Sequence, residues 1–302
     1  MLRTPALRRL RAQFICAGLM MSAAPASAGV MHALVNLGLS TTKAAPNPEP
    51  VDGSHEGPRH VAGVGKVYPW MVKNMAKPEV NDPAWVKANA LAKQVLKNPP
   101  AVTPAIRLGA TDGRKRMALT IDDGPHEKWT PKLLDLLDQV RVKATFFVVG
   151  KMVRKNPELL REIHRRGHEV ANHTFSHIKM SENSEEVQLT EYLAANLVIQ
   201  DAIGVKPTWA RPPGGQRSRI TYMVAAYSGL KTSLWTCDPL DYAFPGEKVL
   251  MARMRRGVKP GAVFLLHSGS PDMMNILPEF VAKARMDGYE FVTQTELFQR
   301  KP

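Results

Sequence analysis

Cysteine is nearly absent: 302 residues hold two, Cys16 and Cys237. Cys16 lies in a leader that reads as cleaved, so the mature chain keeps one thiol and can form no internal disulfide, even in an oxidising compartment. Stability has to come from a buried core, and the chain is long enough to build one without staples. Long apolar runs are missing as well. The run near the N-terminus, Phe14 to Ala24, has about eleven residues, short of the roughly twenty that span a bilayer. No glycine-rich phosphate loop and no repeat of fixed period occurs. Acidic residues are scarce relative to basic ones, 27 against 41, for a formal net charge of +14.

What is present begins with an export signal. Arg3, Arg8, Arg9 and Arg11 precede the apolar run, and Ala26-Ser27-Ala28 follows it as a small-x-small cleavage pattern, so residues 1–28 read as a signal peptide. The arginine pair hints at twin-arginine export, and Cys16 lacks the small residues that precede a lipoprotein cysteine. Cleavage removes four arginines and no acid, leaving 37 basic against 27 acidic side chains and a mature charge of +10. A basic exported surface suits anionic envelope material; nucleic acid would match the charge but not the periplasmic or extracellular compartment. The mature chain is expected to be a monomer with no stable membrane insertion.

Residues 29–80, rich in Ala, Pro, Gly and His as in Ala44-Ala45-Pro46-Asn47-Pro48, read as a flexible linker. Residues 81–114 read as a helical N-terminal extension: Trp85, Ala88, Leu91, Val95 and Leu96 recur at helical spacing between Pro83 and Pro99-Pro100. A lone amphipathic helix has to pack on the main domain, residues 115–302. That domain alternates apolar runs (117–121, 144–149, 168–171, 232–235, 262–266) with helical patterns (131–139, 157–166, 185–203, 220–228, 248–256, 274–286). Strand then helix, repeated, implies an α/β fold with a mostly parallel sheet. Periodicity does not show whether the sheet closes.

Polar clusters follow the strands, where parallel folds gather their chemistry. Thr120-Ile121-Asp122-Asp123-Gly124-Pro125 puts two carboxylates at a strand end; neighbours on a regular strand point to opposite faces, so both can serve one site only where the strand breaks, at Gly124-Pro125. His173-Thr174-Phe175-Ser176-His177 cannot be extended if both rings hold one ion, because four extended residues span about 13 Å. It has to curl, and helical i, i+4 spacing is one way to bring the rings together. Two histidines and a carboxylate form the open ligand set of catalytic zinc sites. In isolation the histidines read as an exposed or capped pair, Arg211 as a surface ion-pair partner, Asp241 as a turn cap and His267 as a satisfied core histidine.

Taken in order, the Asp122-Asp123 and His173–His177 clusters, Arg211-Pro212-Pro213-Gly214-Gly215, Asp238-Pro239-Leu240-Asp241-Tyr242 and Leu265-Leu266-His267 resemble the polysaccharide deacetylase family, carbohydrate esterase family four. The resemblance runs over roughly residues 115–298 and includes Lys143-Ala144-Thr145-Phe146-Phe147 and Gly167-His168-Glu169-Val170. It implies a distorted (β/α) barrel of about seven parallel strands. It further implies that Asp123, His173 and His177 hold a divalent metal, most often zinc, that Asp122 is the base and that His267 is the acid. Arg211 would orient Asp122, Asp241 would orient His267, and Gly214, Tyr242 and Leu265 would meet the substrate. Three positions depart from the usual pattern: Gly214 stands where an aromatic is common, Tyr242 where Trp is frequent, and Ser268 where Asp is frequent. Trp235, Tyr242, Trp209 and Phe175 are candidates for a sugar-stacking groove.

The expected function is metal-dependent removal of N-acetyl groups from N-acetylglucosamine units of an envelope or extracellular polysaccharide, with peptidoglycan ahead of chitin oligomers and poly-N-acetylglucosamine. The alternatives are O-acetyl ester hydrolysis, as on xylan, and a silent carbohydrate-binding relative.

Overall fold

Met117, Leu119 and Ile121 alternate along the chain with Ala118, Thr120 and Asp122, which gives the central strand one face for a helical layer and one for an interior. The computed structural model describes residues 59–61, 65–67, 77–216 and 218–299, all within one unit, Asp52–Pro302. The strands are β1 (Arg59–Val61), β2 (Gly65–Val67), β3 (Ile106–Arg107), β4 (Arg116–Asp122), β5 (Thr145–Val148), β6 (Glu169–Asn172), β7 (Trp209–Ala210), β8 (Lys231–Ser233), β9 (Val263–His267) and β10 (Glu290–Phe291). The helices are α1 (Pro83–Lys97), α2 (Trp129–Gln139), α3 (Gly150–Lys155), α4 (Pro157–Arg165), α5 (Glu185–Ile203), α6 (Arg219–Tyr227), α7 (Glu247–Arg256), α8 (Pro271–Met286) and α9 (Gln294–Phe298).

Eight strands, β3 to β10, form one sheet in which every pairing is parallel. Its path runs β4-β5-β6-β7-β8, and β9 lies on the other edge of β4. Beyond β8 the chain continues to Cys237, which bridges Phe264 of β9: Cys237 N–H donates to the Val263 carbonyl at 3.1 Å and Leu265 N–H to the Cys237 carbonyl at 2.9 Å. The sheet thereby curls back on itself as a distorted (β/α) barrel, with the two-residue strands β3 and β10 attached to β8 and β4. The sequence reading expected about seven strands and missed β3, β7 and β10, whose two residues are too few to show a period.

The outer faces of β4, β5 and β9 (Met117, Leu119, Ile121, Phe146, Val148, Phe264, Leu266) join Leu133, Leu137, Leu160, Ile163, Ala195, Ile199 and Phe280 in one buried core under the helices. Burial of this kind is worth about 25 cal/mol per Å² and is the main term holding the layers together. Inner faces carry the polar residues, so the same alternation that builds the core aims the chemistry inward.

The extension is not only helical. It contributes α1, whose buried face is Trp85, Ala88 and Ala92, and then β3, which pairs with β8. Leu91, expected on that face, is 37% exposed because Ala92 occupies the buried position beside it. The stretch read as linker contains β1 and β2, an antiparallel pair. Residues 1–28, read as a signal peptide, lie outside the described residues. Among those residues no helix is long and apolar enough to cross a membrane.

Candidate active site

Asp122 is the last residue of β4 and pairs in register with His267, the last of β9. Parallel strands at matched register set these side chains next to each other on the inner face. Arg211, one residue beyond β7 and fully buried, joins them. Its Nη1 donates to Asp122 Oδ1 and to Thr120 Oγ1, both at 2.8 Å, and its Nη2 to the Leu234 carbonyl at 3.1 Å. The guanidinium also lies 4.1 Å from the centre of the Phe147 ring. Thr120 and Asp122 are i and i+2 on one strand, so a single guanidinium reads both. Burial pulls the Arg211 pKa down, against the pull of the Asp122 charge.

After Asp122 the chain leaves the strand. Asp123 adopts φ 75°, a left-handed conformation uncommon for a non-glycine residue, and the following Gly124-Pro125 bond is cis. The left-handed turn at Asp123 brings its carboxylate to the same side as Asp122, with His173 Nε2 near both. The curl expected of the histidine cluster is present, but it is not helical. Residues 173–177 follow β6 as an irregular turn with Thr174 at φ 67° and His177 at φ 58°, and the two imidazoles end 5.0 Å apart.

Asp123, His173 and His177 each offer a donor atom within 4.8 Å of the others. Asp123 Oδ1 is 3.1 Å from His177 Nε2 and 3.4 Å from His173 Nε2, yet this buried oxygen completes no hydrogen bond. Donors held about 2.1 Å from one tetrahedral ion stand about 3.4 Å apart, so the separations and the unsatisfied oxygen fit a zinc-type site. His173 Nδ1 faces the Arg211 carbonyl at 2.8 Å; a carbonyl only accepts, so Nδ1 carries the hydrogen and Nε2 the lone pair. Burial disfavours a proton on His173, but the Asp122 and Asp123 charges outweigh it and raise the pKa. Burial likewise opposes charge on Asp123, and His177 with His173 overcomes it, holding that carboxyl well below its usual range. A pocket whose field favours cations is the environment a divalent ion needs.

On the other side, His267 Nδ1 donates to Asp241 Oδ1 at 2.8 Å, and His267 N–H donates to Asp241 Oδ2 at 2.8 Å. Burial lowers the His267 pKa, but the buried Asp241 carboxylate, with Asp123 and Asp122 behind it, drives it up to about 10. Asp241 itself follows Leu240 in a left-handed turn, and the Tyr242 ring lies edge-on to His267 at 5.1 Å. Leu265 shares the inner face of β9 with His267 and is buried. Gly214 is exposed at φ 63° with open space where a side chain would stand, and the next glycine, Gly215, is pressed against Trp235.

All ten residues singled out in the sequence therefore converge at the C-terminal ends of the strands. Two of the groove candidates do not. Trp209 packs on Phe298 and bonds Thr295, and Phe175 is 1% exposed against Gly150. The sequence reading missed Thr120, Asn172 and Glu191. Asn172 Oδ1 accepts from Thr174 N–H at 2.7 Å, and Glu191 Oε2 accepts from Phe175 N–H and Ser176 N–H at 3.0 and 2.7 Å. Thr120 was visible as a polar residue at an alternate strand position; Glu191, fifteen residues away inside a helix, carried no such signal.

A model of the polysaccharide deacetylase family matches residues 109–233. The chain is 35% identical over 199 residues to a peptidoglycan-N-acetylglucosamine deacetylase of Bacillus cereus, covering 63% of this chain and 91% of that protein. The chain belongs to the polysaccharide deacetylase family. It is an enzyme of a hydrolase family, as its motifs imply. It is also 39% identical over 164 residues to a chitooligosaccharide deacetylase of Bradyrhizobium, 54% of this chain and 75% of that one. Among solved structures, it resembles BA3943 of Bacillus anthracis, described as a CE4 family pseudoenzyme, with a TM-score of 0.63 and 27% identity over 70% of this chain and 81% of that one.

Proposed function

We propose that this protein is an exported, metal-dependent N-deacetylase that hydrolyses the acetamide of N-acetylglucosamine units, with peptidoglycan as its polymer. The observation that carries the reading is the pairing, in matched register at the end of the β4–β9 ladder, of a carboxylate and an imidazole beside the Asp123–His173–His177 cluster. The names of the relatives favour peptidoglycan over other polymers, and the basic mature surface agrees with work on an anionic envelope.

Asp123, His173 and His177 would hold the divalent ion, zinc by their donor set, which would supply Lewis acidity to the substrate carbonyl and to water. Arg211 fixes Asp122 Oδ1, so Oδ2, 3.6 Å from His173 Nε2, is the atom that takes the proton of the attacking water. The turn 213–215, in which Gly215 N–H donates to the Pro212 carbonyl, would offer the Gly214 N–H to the developing oxyanion. Asp241 holds His267 by Nδ1, so the Nε2 proton is the one delivered to the leaving amine. An amine leaves poorly unless protonated, and an imidazole kept charged by a buried carboxylate meets that need. Leu265 flanks the acetyl group and Tyr242 the sugar. Glycine at 214 removes one wall of the groove and widens the range of acceptors without touching the proton carriers. A base, an acid and a full ligand set argue for turnover rather than silent binding.

Acetate release by the purified mature protein from N-acetylglucosamine oligomers and from peptidoglycan, with and without chelator and added zinc, tests this. Chelator-sensitive release, restored by zinc and faster on peptidoglycan, is expected. Metal bound with no release from either amide overturns the reading in favour of ester hydrolysis or binding alone.

A further inference from the structure

The turn that carries His173 and His177 is not held by the barrel alone. It contains two non-glycine residues at positive φ, conformations that cost free energy and persist only where the surroundings enforce them. Between the histidines, the backbone N–H groups of Phe175 and Ser176 both point at one oxygen of Glu191, Oε2, at 3.0 and 2.7 Å. Glu191 is fully buried in the middle of α5. Its other oxygen, Oε1, accepts from the Trp85 indole at 3.2 Å. Three N–H donors converge on this buried carboxylate, and a buried carboxylate without them would be strongly destabilising.

Trp85 belongs to α1, outside the barrel. The first turn of that helix is capped by Asp82, which also pairs with Arg154 of α3 at 3.2 Å. One turn further on, Asn89 donates to Glu186 and Thr190 of α5 at 3.0 and 3.2 Å. Ahead of the helix, Glu79 N–H donates to Ser176 Oγ at 3.1 Å, a second contact from the extension onto the turn itself. Lys151, half-buried in α3, is the cation whose charge faces Glu79 and Glu191.

We propose that α1 is a working part of the metal centre: Trp85 orients Glu191, and Glu191 holds the 173–177 turn in the one conformation that presents both imidazoles to the ion. Glu191 and Trp85 are positioning residues, since neither touches the ion or the substrate. The inference rests on the metal reading above and extends it to a segment outside the barrel. Partners of metal ligands typically change affinity 10- to 100-fold when removed.

The test is zinc titration of the metal-stripped full chain, by calorimetry against a competing chelator, for wild type, Glu191→Gln, Trp85→Phe and the double variant, with a thermal melt of each apo-protein. Glu191→Gln keeps size but replaces one accepting oxygen by an N–H₂ that meets a donor whichever way it points, the turn N–H groups or the Trp85 indole, and is expected to weaken zinc binding about tenfold or more. Trp85→Phe keeps the ring packing, folds, and is expected to weaken binding several-fold; the double variant is expected to be no weaker than Glu191→Gln, because the two act in series. Wild-type zinc affinity in Trp85→Phe and in any Glu191→Gln protein that folds, whatever the change in melting temperature, overturns the proposal and leaves the metal reading standing. Failure of the wild type to bind zinc overturns both.

Discussion

Asp122 and His267 stand at the ends of adjacent strands in matched register, whereas His173 and His177 stand on an irregular turn that no strand continues. The first pair needs little beyond the sheet. Strand alternation aims both side chains inward, and one buried guanidinium and one buried carboxylate fix their orientation. The second pair depends on the adjacent Asn172 and on polar groups from farther along the chain, Glu191 and, through Glu191, Trp85. A parallel barrel can place proton carriers by register alone, but ligands four residues apart on one ion require a backbone shape that the barrel does not supply.

The largest separation of the two halves comes from single changes at their centres. Asp122→Asn removes the proposed base and leaves Asp123, His173 and His177 in place, so turnover is expected to fall by about three orders of magnitude with zinc still bound. His173→Ala is expected to lose turnover and zinc together. Acetate release alongside metal content measures both, and equal metal loss in the two variants contradicts the division of roles. Next in size, Arg211→Met keeps the bulk on Phe147 but strands the Asp122 carboxylate in the interior. Breaking such a pair costs about 3–5 kcal/mol, to be read from denaturant unfolding of the metal-free protein. An equal substitution at exposed Arg165, paired with Glu162 on the surface, is expected to leave the unfolding midpoint nearly unchanged.

The same contrast explains what could be read from the sequence. Met117 to Asp122 announces its strand, its faces and the inward aspartate through a period of two, and α5 was legible from end to end because nineteen residues with Ser184 before and Gly204 after carry both caps. The ten candidate residues stood in the sequence as motifs. The conformation of the histidine turn was not: spacing four suits a helix, yet the observed turn owes its shape to a carboxylate inside α5 and to a glycine at the start of α3. α3 escaped notice because six residues hold less than two turns of periodicity. Trp85 was legible as an apolar anchor of its helix, but the partner of its indole N–H, 106 positions away, was not. Long-range polar pairs of this kind leave no local pattern.

A change at Asp241 probes the strand-borne half by pH. The His267 pKa is raised to about 10, so its acid form is present below that value and is lost as pH rises through it. Asp241→Asn removes the largest raising influence and brings the pKa back toward the ordinary 6.5. The alkaline limb of kcat/KM is expected to move down accordingly, with activity at pH 9 lower by about two orders of magnitude and a smaller loss at pH 6. A limb that stays in place assigns the alkaline titration to another group. The histidine turn, which among the described residues shares no hydrogen bond with Asp241, should bind zinc as in the wild type.

The smallest effect is expected where the turn meets α3. A side chain at Gly150 would place its Cβ 2.4 Å from Phe175 Cδ2 and 3.0 Å from Phe175 Cα, and Gly150 N–H already donates to the Thr174 carbonyl at 2.9 Å. The Phe175 ring can rotate only into a packed core, and its Cα cannot yield without moving the backbone between the two histidines. Gly150→Ala therefore acts on the turn and not on the strand ends. Overpacking of this sort costs about 1–3 kcal/mol, and the displaced turn is expected to weaken zinc binding by up to about tenfold. The pH profile set by Asp122 and His267 should keep its shape once zinc is saturating. Unchanged zinc affinity with a lowered melting temperature would show that the turn tolerates displacement, and that its left-handed residues are fixed from the Glu191 side alone.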